Sequence, residues 1–114
     1  MAAKVYLIDG KGADLASLKM LHPAVTPNQA ARTLRILTKN MHNRYTHFSG
    51  EFGKTASDYE VNGKRVRDII VIIDELAVLL NDPKLRSEIL RYLFELLIAA
   101  RQASIYVAPL GGNM

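Results

Sequence analysis

The hydrophobic and polar positions switch between two spacings along the chain, and each switch marks an element. Lys4 to Ile8 form a short apolar run that Asp9-Gly10-Lys11-Gly12 stops. So brief a run, with little alternation, fits a strand buried on both faces. A helical period begins after Thr26-Pro27-Asn28-Gln29. Thr26 can cap, Pro27 suits the first helical position, and Gln29 completes a capping box. From there Ala30, Leu34, Leu37, Met41, Tyr45 and Phe48 recur at helical spacing, with Arg32, Arg35, Lys39 and Asn43 on the other side. The pattern predicts a helix ending near Gly50, with one apolar and one basic face.

Ser49 to Arg67 read as a polar connection, in which Val61-Asn62-Gly63-Lys64 can turn a tight hairpin because Asn-Gly tolerates positive φ. Ile69-Ile70-Val71-Ile72-Ile73 is the clearest strand. Consecutive β-branched residues cannot alternate in and out, so both of its faces are expected to lie under helices. Asp82-Pro83 then caps a helix to about Gln102. Its inner face uses Leu85, Ile89, Leu93, Leu96 and Ala100, and its outer face carries Arg86, Arg91 and Glu95. Arg91 and Glu95 can pair at i,i+4. A last strand runs from Ile105 to Ala108. The order strand, helix, strand, helix, strand predicts an α/β fold. A parallel sheet of about three strands is flanked by helices and joined by right-handed crossovers.

Composition narrows the class. With 114 residues the chain is a single domain, and 49% hydrophobic against 23% charged residues excludes disorder. There is no cysteine, which excludes disulfides and thiolate metal sites and suits the cytoplasm. No apolar run approaches the ~18 residues of a membrane span, and Asp9 interrupts the N-terminus too early for a signal peptide. The net charge of +4 permits contact with nucleic acid or acidic lipid without requiring it.

Asp74 and Glu75 are the strongest chemical signal. Ligands of a parallel sheet bind at the carboxyl ends of its strands. A carboxylate there can hold magnesium through water, and the next can polarise the water that attacks a γ-phosphate. This is the Walker B pattern with its catalytic glutamate; the plainer reading is a strand ending in two surface polar residues. Gly50-Glu51-Phe52-Gly53-Lys54-Thr55 superficially suggests a phosphate-cradling loop. The spacing is wrong, because Phe48 stands where the first Gly belongs, and no other segment fits. Arg32, Arg35 and Lys39 could meet DNA phosphates, or simply form a solvated helix face. His22, His42 and His47 lack metal-ligand spacing. Arg101 could neutralise phosphate, or complement the dipole of the last helix.

Four segments in register resemble the FtsK/SpoIIIE-type DNA translocases. Leu7-Ile8-Asp9-Gly10-Lys11-Gly12 is similar to their Asp-Pro-Lys-Gly strand end, and Asn40-Met41-His42-Asn43-Arg44-Tyr45 to their Glu-Met-x-x-Arg-Tyr helix. Ile69 to Leu76 resembles their Walker B segment. Ala100-Arg101-Gln102-Ala103 before Ile105 resembles the Gly-Arg-Gln-Ala-Gly stretch of conjugative-element members. Order and spacing agree over about residues 4 to 108.

The resemblance implies a partial RecA-like P-loop NTPase core, the Walker B half of a motor. Such motors hydrolyse ATP with Mg2+ to move double-stranded DNA, usually as a hexameric ring, in processes such as conjugation or cell division. Glu75 would then be the catalytic base and Asp74 the magnesium residue, with Asp9, Lys11 and Arg101 near the nucleotide and Arg32, Arg35 and Lys39 toward DNA. The sequence departs from the family in three places. Gly10 replaces its Pro, Ser104 replaces its second Gly, and Pro109-Leu110-Gly111-Gly112 stands where a Thr-Gln-Arg-Pro sensor is expected. The family's Walker A strand, loop and helix precede the segment matching Lys4. The expectation is therefore a truncated core, not hydrolytically active alone, that self-associates through a strand edge or exposed face left open by the missing strand. Two alternatives are a DNA-associated module that kept the fold and lost the chemistry, and a protein that docks onto an intact motor ring.

Overall fold

A computed structural model describes residues 3–10, 23–48, 60–61, 64–65 and 67–110. Strand β1 spans Lys4–Asp9 and helix α1 Pro27–Phe48; β2 (Glu60–Val61) and β3 (Lys64–Arg65) form a small antiparallel hairpin. Strand β4 covers Ile69–Asp74, a single turn α2 Leu76–Leu79, α3 Arg86–Ala99, a 3-10 turn Ala100–Ala103, and β5 Ile105–Leu110. The main sheet is three-stranded and parallel, in the order β1-β4-β5. The fold is the expected α/β architecture.

The start of α1 forms as its local chemistry dictates. Thr26 Oγ1 accepts from the N–H of Gln29 at 3.2 Å, and Gln29 Oε1 accepts from the N–H groups of Thr26 and Val25. This reciprocal box satisfies donors that a helix start leaves open. Asp82, expected to cap α3, instead accepts from the N–H groups of Lys84 and Leu85 in the turn before it, and α3 starts behind Leu85 without a side-chain cap.

Ala30, Leu34, Leu37 and Met41 of α1 join Ile89, Leu93, Leu96 and Ala100, and Ile69, Val71 and Ile73 of β4, in one core. Both long helices therefore lie on one face of the sheet. Among the described residues, no helix longer than one turn covers the second face. Along β4, Ile69, Val71 and Ile73 are buried, but Ile70, Ile72 and Asp74 are only half-buried. The strand order supplies the reason. The sheet advances in one direction from β1 to β4 to β5, and crossovers of one hand then fall on the same side. On the second face Tyr106 is exposed, while Leu7 and Asp9 are buried. No described helix is long and apolar enough to cross a membrane.

Hydrogen-bond parity distinguishes the two edges. Lys4 N–H donates to Asp68 O, which turns Lys4, Tyr6 and Ile8 toward β4 and leaves Leu7 and Asp9 facing outward. Ala24 fills that edge: its N–H donates to Leu7 O, and its carbonyl accepts from Asp9 N–H at 2.8 Å. Beside β5 no further strand stands among the described residues.

Candidate active site

Two carboxylates end neighbouring strands. Asp9 and Asp74 are partners in the β1–β4 register, so they stand one strand spacing apart, about 4.8 Å. Their shared parity puts both on the second face of the sheet, away from α1 and α3. Asp9 is 1% exposed and Asp74 half-buried.

Glu75 follows at once, in the left-handed region at φ 54° and ψ 48°, and opens α2. A non-glycine residue there carries strain of about 1–2 kcal/mol. The turn is held from β1: Gly10 N–H donates to Asp74 O at 3.0 Å. A Cβ on Gly10 would collide with the Glu75 carbonyl oxygen and stand 3.0 Å from Leu79 Cγ. Glycine at this position lets β1 approach the strand-to-helix turn that presents Glu75.

The structure brings Asp9, Asp74 and Glu75 together and leaves Arg101 elsewhere. Arg101 lies in the 3-10 turn before β5, and Ile105 pairs with Ile69 at the amino end of β4. About five residues of strand, roughly 17 Å, separate it from Asp74. Arg101 therefore stands at the opposite end of the strands from Asp74, because an αβ connection enters a parallel strand at the end opposite the carboxylates. Lys11 and the Gly50–Thr55 segment lie outside the described residues.

On α1, Arg32, Arg35 and Lys39 are all exposed, as the helical period requires. They are not equivalent. Arg35 bonds to Glu88 of α3 through Nε at 3.1 Å and through a second, charge-assisted contact, which raises its already high pKa. Arg32 lines an open groove of about 440 Å³ with Pro23, Gln29, Thr33 and Ile36. Glu95 pairs with His42 rather than with Arg91 four residues away; Arg91 instead lies over the Tyr92 ring.

Arg44 and Tyr45 anchor α1 to the segments beneath it. Arg44 Nη1 donates to Ala103 O at 2.7 Å, and Nη2 donates to Arg67 O at 2.5 Å. Burial lowers its pKa. The Tyr45 hydroxyl donates to Ala99 O at 2.5 Å. One helical turn of α1 thus clamps the end of α3, the 3-10 turn and the residue leading into β4. The clamp meets Ser104, which sits at φ 58°, buried, with no partner for its hydroxyl. Left-handed backbone here explains the glycine expected from the resemblance.

Among the described residues no three His, Asp or Glu side chains gather to hold a metal ion. The donor set still suits magnesium, which usually takes one or two carboxylates and completes its shell with water and substrate phosphates. Asp74 would hold such an ion through water, with Asp9 beside it.

No family model matches the chain, and no curated protein matches it. Among solved structures it is similar to the pCW3 conjugation coupling protein TcpA, determined in a monomer form with ATPγS. The TM-score is 0.75 at 24% identity, over 94% of this chain and 34% of that one. The likeness shows a shared α/β fold. The chain spans about a third of the length of that protein.

Proposed function

We propose that this chain is part of an ATP-dependent motor that moves double-stranded DNA, of the FtsK/SpoIIIE kind. The observation that carries the reading is Glu75, held in a strained left-handed turn directly after Asp74 at the carboxyl end of the central strand. Bound MgATP would supply the electrophilic γ-phosphate. Asp74 would fix the ion through water, Asp9 would add charge beside it, and Glu75 would accept a proton from the attacking water. The likeness to a conjugation coupling protein solved with ATPγS supports nucleotide binding and a role in DNA transfer. The 114 residues contain no phosphate-cradling motif, so affinity is expected to be weak and hydrolysis by this chain alone is not expected. A hexameric ring is the assembly the resemblance implies for the intact motor.

Calorimetric titration of MgATP tests the site. Weak, saturable, magnesium-dependent binding is expected, lost in Asp74→Ala and kept in Glu75→Gln. Heat at the dilution baseline for all three proteins overturns it.

A second reading, a DNA-associated module without ATPase chemistry, is favoured by the exposed pair Arg32 and Lys39. It predicts salt-sensitive DNA binding that falls in Arg32→Glu and Lys39→Glu. Arg35→Glu is the less telling variant, because it also breaks the tie to Glu88.

A further inference from the structure

Helices α1 and α3 run side by side in a fixed register. Arg35 reaches Glu88, and His42 Nε2 stands 2.5 Å from Glu95 Oε1. Both pairs are 53 residues apart in sequence, so residue 91 falls beside residues 38 and 39. Thr38 is buried and faces inward, whereas Lys39 and Arg91 are exposed on the outer side of the seam. The Tyr92 hydroxyl joins the two helices there. Arg91 Nη2 donates to it at 3.3 Å, and the same hydroxyl helps to raise the Arg35 pKa.

The charge on this surface is one-sided. The 22 residues of α1 contain no Asp or Glu. Arg32 and Lys39 lie one helical turn to either side of Arg35, close enough to act as one patch. Arg91 joins them from across the seam, and Glu88 is the carboxylate in their midst. Arg35 is spent on it, because Nε and Nη2 both reach Glu88 Oε1. The pair lies at the surface, with Arg35 exposed and Glu88 half-buried, and an ion pair so placed is weakly held. A phosphate oxygen offers a guanidinium the same charge-assisted bonds and can take the place of the carboxylate.

We infer that the outer side of the α1–α3 seam is a phosphate-backbone interface for double-stranded DNA. Arg32, Lys39 and Arg91 contact phosphates, and Glu88 limits the affinity by withholding Arg35. The inference rests on the DNA reading above; it extends the surface onto α3 and names a carboxylate that sets its strength. Separate cations on an exposed seam suit a repeating polyanion. A lipid surface suits them less, because interfacial helices insert apolar side chains beside their cations. Among the described residues of α1, Ile36 is the exposed large hydrophobic, and its neighbours Asn28, Gln29 and Asn43 are polar.

Anisotropy titrations of a labelled mixed-sequence duplex at ~50 mM salt test the surface. The unaltered chain is expected to bind, more weakly as salt rises. Arg91→Glu is expected to weaken binding at least about fivefold. Arg86→Glu makes the same charge change about 140° round α3 and is expected to do far less. Glu88→Gln is expected to tighten binding at least about threefold and to steepen the salt slope by about 0.9, the value of one further phosphate contact. Asp68→Asn, an equal charge change before β4, is expected to do neither. A gain in affinity cannot come from a damaged fold, so Glu88→Gln decides even where Arg91→Glu fails to fold. Absence of DNA binding overturns the DNA reading, and this inference with it. Binding that falls in Arg32→Glu but ignores both Arg91→Glu and Glu88→Gln leaves the DNA reading standing and overturns the inference alone. Equal gains in Glu88→Gln and Asp68→Asn overturn it as an effect of net charge. Binding to phosphatidylserine vesicles in place of the duplex overturns it in favour of a membrane surface.

Discussion

Gly10 lies flat against the carbonyl oxygen of Glu75, with the Leu79 side chain closing the third side. The end of β1 thereby sets the turn that presents the carboxylates. Gly10→Ala places a methyl group into backbone that cannot swing aside. A loss of about 1–3 kcal/mol in urea unfolding is expected, because overpacking against main chain forces the turn to shift. A change within about 0.5 kcal/mol would show that the contact does not constrain the turn.

Among the described residues, Ser104 and Glu75 are the two positive-φ residues other than glycine. At Ser104 the hydroxyl is also buried without a partner. Ser104→Gly removes both costs and is expected to raise stability by about 1 kcal/mol, read as a higher urea midpoint. Glu75→Gly relieves the same backbone strain and is expected to stabilise the fold while removing the candidate base. Opposite effects on stability and on nucleotide chemistry would identify Glu75 as a residue kept for its carboxylate. If both glycine variants lower the midpoint, left-handed strain is not the dominant cost at either position.

Burial raises the Tyr45 pKa above its ordinary value near 10. The sign follows from linkage. The native state keeps the phenolic proton where the unfolded chain has begun to lose it. The contribution is therefore fully present below the unfolded pKa, and is lost as pH rises through the folded value. Unfolding midpoints measured between pH 9 and 11 are expected to fall more steeply for the unaltered chain than for Tyr45→Phe. In ultraviolet titration, a late-ionising phenol should be present in the unaltered chain and vanish in Tyr45→Phe. Parallel slopes for the two proteins would remove Tyr45 as the cause.

Much of the architecture is local and was therefore legible. The Thr26–Gln29 box marked the start of α1 because both partners lie within one turn. Asn62-Gly63 marked a hairpin, and Glu60 and Val61 do pair with Arg65 and Lys64. The spacing of Ile89, Leu93 and Leu96 named the buried face of α3, because a helix repeats every 3.6 residues whatever it meets. Asp74 and Glu75 stood out because a β-branched run ended in them.

The sequence by itself determined which segments become strands and helices, which faces are apolar and which carboxylates end the central strand. These follow from neighbours along the chain. The tertiary structure alone decided what sits opposite what. It put α1 and α3 on one side of the sheet, because the side on which a crossover falls depends on strand order and not on strand composition. It set Asp9 beside Asp74, and sent Arg101 to the far end of the strands. It also gave Glu88 to Arg35, Glu95 to His42 and the carbonyls of Ala103 and Arg67 to Arg44. Those partners are 23 to 59 residues apart in sequence, and only the packing of α1 across α3 and the start of β4 brings them within reach.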